Sequence, residues 1–278
     1  MILVDKPASV TSHDVVGRAR RALGIGRVGH SGTLDPMATG LLVLGVGWAT
    51  RLLRFTDSAT KTYDAGVALG VETDTWDADG EVVATVPVVV SPEAVRAALS
   101  EFVGDLAQVP PMHAAIKVGG EKLYDKARRG EQVEREPRAV TVHGLDVTGI
   151  DGDQVHFTLS CSAGTYVRSI AHDLGAALGC GAHLCALRRT AIGPHRVADA
   201  LSLDELGEAG RDALRPPLDL VAHLPRFEVD ADDAARVMSG RRIEGVGAGT
   251  APVAVVACEG VRLLAVYEGG RATVTAPN

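Results

Sequence analysis

The sequence predicts an α+β fold with a mixed sheet, followed by a small β-rich C-terminal domain. Two observations lead there. Segments with the two-residue period of strands interleave with segments of helical period, joined by many hairpin-like connections. Past "RPPLDLVAHLP" the composition shifts, which sets a boundary near residue 223. A chain of 278 residues suits one large domain plus one small one. The expected division is therefore 1–222 and 223–278.

Each element has a local reason. "MILVDKP" reads as a strand ended by Pro7. "TSHDVVGRARRALG" reads as a helix capped by Thr11 or Ser12, with Val15, Val16, Ala19 and Leu23 on one face and Gly24 at its end. A glycine-rich loop follows over 24–40. "LLVLGVG" is a buried strand, and "WATRLLRFTDSA" a short helix. In "KTYDAGVALG" Tyr63, Ala65, Val67 and Leu69 alternate as in a strand. "SPEAVRAALSEFVG" carries a capping Ser91, Pro92 in the first turn and an apolar face of Val95, Leu99 and Phe102. Residues 108–138 form a basic segment. "RAVTVHGLDVTGI" and "QVHFTLSCSAG" are strands, and "TYVRSIAHDLGAALG" turns the second into a helix. In the C-terminal part, a short helix over Asp230 to Gly240 precedes two strands, "APVAVVAC" and "VRLLAVYE".

Composition excludes several classes. The net charge is −7, so any binding of nucleic acid must rest on local positive charge. Lys6, Lys61, Lys117, Lys122 and Lys126 are the lysines, and arginine far outnumbers them. Arg18, Arg20 and Arg21, the stretch Lys117 to Arg138, and Arg188 with Arg189 are each expected to be solvated faces, which together hint at attraction for phosphates. Cys161, Cys180, Cys185 and Cys258 lack metal-site spacing and read as scattered thiols of a reducing compartment. The start lacks a basic n-region with a long apolar h-region, and no apolar run is long enough to span a bilayer. A cytoplasmic protein is expected.

Two motif look-alikes fail and a third motif is absent. "GIGRVG" fits GxGxxG, but a helix precedes it where a dinucleotide site needs a strand. No GK[ST] tripeptide exists for a Walker loop. "ETDTWDADGEVV" imitates a calcium loop but puts Thr75 at the first ligand position and Val86 at the twelfth, so an acidic surface turn is expected.

The residues able to carry chemistry are few. Asp35 is the lone acid of "GHSGTLDPMATG", directly before Pro36, which biases its backbone to extended geometry. It reads either as an Asp-Pro turn or cap, or as a carboxylate held stiffly towards a substrate. His30, in the same loop, is by itself an ordinary hydrogen-bonding histidine. Tyr63 sits mid-strand, where packing is the default reading. Tyr166 and Arg168 stand where a strand becomes a helix. Positive charge is unfavourable at a helix start, so Arg168 calls for a carboxylate partner.

In that order "GHSGTLDPMATGLL", "KTY", "ETDTWDADG", "PPMHAAIKVGGEKLYDKARRG", "GTYVRS" and "LRRTAIG" resemble the bacterial TruB family, the tRNA pseudouridine-55 synthases. The resemblance runs from "LVDKP" to about residue 220, and a looser likeness to a small PUA-type RNA-binding domain continues beyond. It implies a pseudouridine-synthase core with a mixed, mainly antiparallel central sheet. Asp35 matches the catalytic aspartate and Tyr63 the tyrosine that stacks on the flipped uracil. Tyr166 and Arg168 match the active-site tyrosine and the arginine that pairs with the aspartate. Leu187 matches an apolar wall of the base pocket, and His30 the histidine that fills the space left by the extruded nucleotide. Residues 108–138 match an insert that clamps the T arm of tRNA.

The resemblance further implies no cofactor and no metal, and the absence of a coiled coil or a long apolar surface helix makes a monomer the expectation. Ser31 stands where threonine is common, and Trp48 departs from the family's "LGEAT" context. The competing reading is a tRNA-binding and folding chaperone without essential catalysis; a third is a related synthase acting on another RNA.

Overall fold

The computed structural model describes residues 1–277 except 57, 115, 119, 124–128, 130, 132, 244, 247, 248, 250, 258 and 259, with backbone alone at 117, 118 and 122. Lys126, Cys258 and much of the tip of the 108–138 segment therefore lie outside the described residues. Two compact units share the chain: one holds 1–36, 40–59 and 192–278, the other 37–39 and 60–191.

The first unit opens with β1 (Ile2–Lys6), α1 (Ser12–Leu23), β2 (Val28–Ser31) and β3 (Thr39–Val46). β3 pairs antiparallel with β1 (Ile2 opposite Leu44) and with β2 (His30 opposite Leu44). Both faces of β1 and β3 are covered, which is why they read as unbroken apolar runs. Ile2, Val4, Leu42 and Leu44 meet Val15, Val16, Ala19 and Leu23 of α1. Leu3, Leu41 and Val43 meet Leu52 and Phe55 of the 3₁₀ helix Gly47–Phe55. A capping box fixes the start of α1: the Thr11 side chain accepts from the Asp14 N–H while Asp14 accepts from the Thr11 N–H. Gly24, in the left-handed region, ends it. The expected loop over 24–40 thus contains a strand, β2, whose four residues are too few to show a period.

The second unit is built on β4 (Lys61–Leu69), β5 (Val71–Thr73), β6 (Val82–Thr85), α2 (Pro92–Ser100), β7 (Gly104–Gln108), the two-residue strands β8 (Lys117–Val118) and β9 (Glu121–Lys122), β10 (Arg138–Asp151), β11 (Gln154–Cys161), α3 (Val167–Leu178) and β12 (Ala182–Ile192). Its sheet runs β12-β4-β11-β10-β7, with antiparallel pairing at β4/β11, β11/β10 and β10/β7. Tyr63, Ala65 and Val67 of β4 and Val155, Phe157 and Leu159 of β11 are buried, as are Val95 and Leu99 of α2 and Ile170 and Leu174 of α3. β12 escaped the sequence reading: in "AHLCALRRTAI" charged and polar side chains interrupt the alternation.

The rest of the first unit contains β13 (His195–Arg196), α4 (Leu203–Ala209), β14 (Arg226–Val229), α5 (Ala231–Met238), β15 (Val253–Ala257), β16 (Leu263–Glu268) and β17 (Arg271–Thr275). The last four strands make one sheet, β14-β15-β16-β17, with β14 and β15 parallel. One of its faces packs Val255, Ala265 and Tyr267 against Val237 of α5. The other packs Ala254, Val256 and Val266 with Leu3, Leu41 and Leu52. The fold is thus mixed α and β with mainly antiparallel pairing, as expected. No helix among the described residues is long and apolar enough to cross a membrane.

Candidate active site

Asp35 is held by its neighbours. The buried Ser12 hydroxyl donates to the Leu34 carbonyl (3.1 Å) and accepts from the Leu34 N–H (2.9 Å). On the other side the Pro36 carbonyl accepts from the Ser9 N–H (2.9 Å) and from Lys6 Nζ (3.2 Å). Lys6, fully buried, also donates to the carbonyls of Val10 (2.6 Å) and Pro7 (2.9 Å). Buried polar groups satisfied at this density leave a chain segment little freedom. Gly32, at φ 74°, supplies the left-handed turn that an L side chain resists. The half-buried Asp35 therefore projects from a segment clamped on both flanks. His30, also half-buried, sits just upstream on β2.

In the second unit the helix start of α3 carries Tyr166 and Arg168. Tyr166 is the N-cap residue and has no capping side chain. Gln108, at the end of β7 and buried, instead clamps the Tyr166 backbone: its Nε2 donates to the Tyr166 carbonyl (3.0 Å) and its Oε1 accepts from the Tyr166 N–H (2.7 Å). Ser169 Oγ adds a bond to the Val109 carbonyl (2.8 Å).

Arg168 is 4% exposed, and its carboxylate partner in this unit is Asp77, Nη1 to Oδ2 at 3.2 Å. Nη1 also donates to the Thr75 carbonyl (3.3 Å), and Nη2 to the His113 carbonyl (3.0 Å). The expectation of an acidic surface turn fails at Asp77. Its side chain is buried and accepts from the Thr75 hydroxyl (2.6 Å) and the Asp79 N–H (3.1 Å). Burial of a carboxylate is tolerated because a guanidinium and two donors face it.

Tyr63 lies on β4 opposite Leu159 and is 7% exposed. Leu187 is buried on β12, and its carbonyl accepts from Thr39 Oγ1 (3.5 Å). Arg188 Nη1 reaches the same hydroxyl (3.4 Å). Both residues line an open groove of about 690 Å³ with Thr39, Asp64, His156 and Thr158. Arg189 corrects the solvated-face expectation: it is 1% exposed. Burial also raises the Cys161 thiol to about 11, partly offset by the Thr165 hydroxyl and the Lys61 ammonium.

The sequence reading missed Asp77 and Gln108 as the groups that hold Arg168 and Tyr166, and Lys6 as a tether of Pro36. Asp77 had a signal in the Thr75 hydroxyl two residues before it and the arginine that needed an acid. Gln108 and Lys6 had none, because their partners are backbone groups distant in sequence.

The profile of the TruB family pseudouridylate synthase N-terminal domain matches residues 20–167, and that of the tRNA pseudouridylate synthase B C-terminal domain matches 168–217. The chain is 45% identical over 275 residues to a tRNA pseudouridine synthase B of Aromatoleum aromaticum, covering 98% of this chain and 86% of that one. The enzyme of the same name from Thermobifida fusca is 47% identical over 278 residues, covering 96% and 94%. Among solved structures, an archaeal box H/ACA sRNP Nop10-Cbf5 complex superposes with a TM-score of 0.73 at 28% identity, over 98% of this chain and 79% of that one. The chain belongs to the TruB family of pseudouridylate synthases.

Proposed function

We propose that this enzyme isomerises uridine to pseudouridine in tRNA, at position 55 in the T loop, with Asp35 as its catalytic residue. The observation that carries the reading is the tethering of Leu34 and Pro36, which holds the backbone from which the Asp35 carboxylate extends. The reaction breaks a C–N glycosidic bond, turns the base and forms a C–C bond. It has no net redox change, and the reading includes neither metal nor cofactor. A stacked uridine cannot react so, and must be flipped out at a cost of a few kcal/mol.

Tyr63 offers an aromatic face to the extruded base, a contact that contributes about 1–3 kcal/mol. Leu187 walls the base pocket, Tyr166 completes it, and His30 fills the gap left in the RNA. Arg168 favours the ionised form of Asp35, which acts as nucleophile on the sugar or the base, or as the base that removes a sugar proton. The segment 108–138 clamps the T arm, and residues 223–278 form a PUA-like RNA-binding domain appended to a catalytic domain of 1–222. The protein works as a cytoplasmic monomer.

The test is a single-turnover incubation with an unmodified tRNA transcript, followed by mapping of the product. Pseudouridine at position 55 alone supports the reading. Modification elsewhere, or binding without isomerisation, overturns the assignment of the site or of the activity.

A further inference from the structure

The turn that brings Asp77 to Arg168 carries a second set of contacts. Trp76, next to Asp77, has a left-handed backbone (φ 64°), a conformation that costs free energy for a bulky side chain and persists only when its surroundings enforce it. Its indole stacks on the His172 ring of α3, with centroids 4.1 Å apart and planes 7° from parallel. The Arg135 guanidinium lies over the same indole, 5.4 Å from its centroid. Partial burial lowers the Arg135 pKa, which marks a guanidinium drawn out of water, the condition under which cation–π attraction strengthens.

These contacts converge on one segment. Arg135 Nη1 donates to the Pro110 carbonyl (2.9 Å), tying the two limbs of the 108–138 segment together. The first limb touches the active-site arginine directly, through the His113 carbonyl on Arg168 Nη2 (3.0 Å). The second touches the Asp77 turn through Arg135 on Trp76. The turn is fastened to β12 as well, since the Trp76 carbonyl accepts from the Leu184 N–H (3.0 Å). Trp76 is only half-buried, so core filling does not account for a tryptophan at a backbone position that disfavours it.

We propose that Trp76 is a positioning residue: its indole, stacked on His172 and covered by Arg135, locks the chain around Pro110, His113 and Arg135 to the Asp77 turn and so sets the orientation of the Arg168 guanidinium. The inference rests on the reading of Arg168 as an active-site residue. The segment and the arginine then form one mechanical unit, and loosening the segment disorders the site without removing any group that touches the base.

The test separates chemistry, RNA affinity and the arginine itself. Trp76→Ala, Trp76→Phe, Arg135→Gln and the double variant Trp76→Ala/Arg135→Gln are compared with the unaltered enzyme. The single-turnover rate constant and the dissociation constant for a T-arm RNA are measured separately. The Nε–Hε NMR resonance of Arg168, assigned by its loss in Arg168→Lys, reports the guanidinium without any reaction.

Trp76→Ala and Arg135→Gln should each slow turnover about 10-fold, a barrier change of about 1.4 kcal/mol. Affinity should fall by less than turnover does, since the loosened segment also clamps RNA, and the Arg168 resonance should shift or broaden. The double variant should be no slower than about twice the worse single one, since the two residues act as one unit. Trp76→Phe should recover turnover to within about 3-fold of the unaltered enzyme, because a stacking face remains.

An unchanged rate and resonance in folded Trp76→Ala or in Arg135→Gln overturns the proposal, as does a loss confined to affinity or multiplicative losses in the double variant. If the unaltered enzyme makes no pseudouridine, the functional reading fails, and the Arg168 resonance still decides whether the lock exists.

Discussion

Asp77 and Arg168 form an ion pair of 3.2 Å in which the side chains are 6% and 4% exposed. Removing two charges from water is costly, and such a pair holds only when geometry and further hydrogen bonds offset the loss. Here the guanidinium has the carbonyls of Thr75 and His113, and the carboxylate has the Thr75 hydroxyl and the Asp79 N–H. The pair fixes an arginine at a helix start, where the helix dipole alone would disfavour it.

Asp77→Asn keeps the shape and removes the charge that balances Arg168. Breaking one side of a buried pair costs about 3–5 kcal/mol. A clear fall in the unfolding midpoint and a loss of turnover exceeding any loss of RNA affinity are the expected outcome. Thermal unfolding and single-turnover kinetics on the same preparation check it. A variant as stable and as fast as the unaltered enzyme would show that the pair holds nothing in place.

Tyr63 should separate ring from hydroxyl. Tyr63→Phe keeps the aromatic face and should slow turnover mildly. On the proposed role, Tyr63→Ala would remove a stacking contact of about 1–3 kcal/mol, which is about 5- to 150-fold in rate. The side chain is buried, so the Ala variant also leaves a cavity, and its unfolding midpoint has to be measured beside its rate. Near-normal turnover in folded Tyr63→Ala would remove the stacking role.

The tether on Leu34 is open to a smaller change. Ser12→Ala deletes the hydroxyl that both donates to and accepts from Leu34. Leaving buried backbone groups without a partner costs about 1–3 kcal/mol. Turnover should fall more than RNA affinity does, because the loop that orients Asp35 loosens while the binding surface persists. Equal losses in both, or none, would mean that the tether does not orient the carboxylate.

How far the sequence discloses this arrangement depends on the range of the interactions. α1, α2 and α3 are legible because their caps and apolar faces are local: Thr11 and Gly24 for the first, Ser91 and Pro92 for the second, Gly179 for the third. β12 is not, since its charged residues break the alternation. Arg168 announced a missing acid by its position, but Asp77 is 91 residues away in the chain, and nothing short of the fold joins them. Gln108 and Lys6 are invisible for the same reason.

Alkaline pH should expose the buried thiol of Cys161. Burial raises its pKa from 9.0 to about 11 in the folded chain. Between those values the unfolded chain has lost the proton and the folded chain retains it, so the folded state binds more protons and stability falls as pH rises. Below pH 9 the two states carry the same proton and the effect vanishes. Unfolding midpoints from pH 8 to 11 should therefore decline less steeply in Cys161→Val than in the unaltered chain. Identical slopes would contradict the assignment.

The most direct measurement concerns Asp35. Hydrogen release from C5 is followed with tRNA carrying tritium at C5 of its uridines, for the unaltered enzyme and for Asp35→Asn, alongside the affinity of each for the same RNA. Asn keeps the shape of the side chain and cannot ionise, so release should vanish while binding stays within about 3-fold, because a charge needed for chemistry is not needed for docking. Undiminished release from Asp35→Asn would contradict the account.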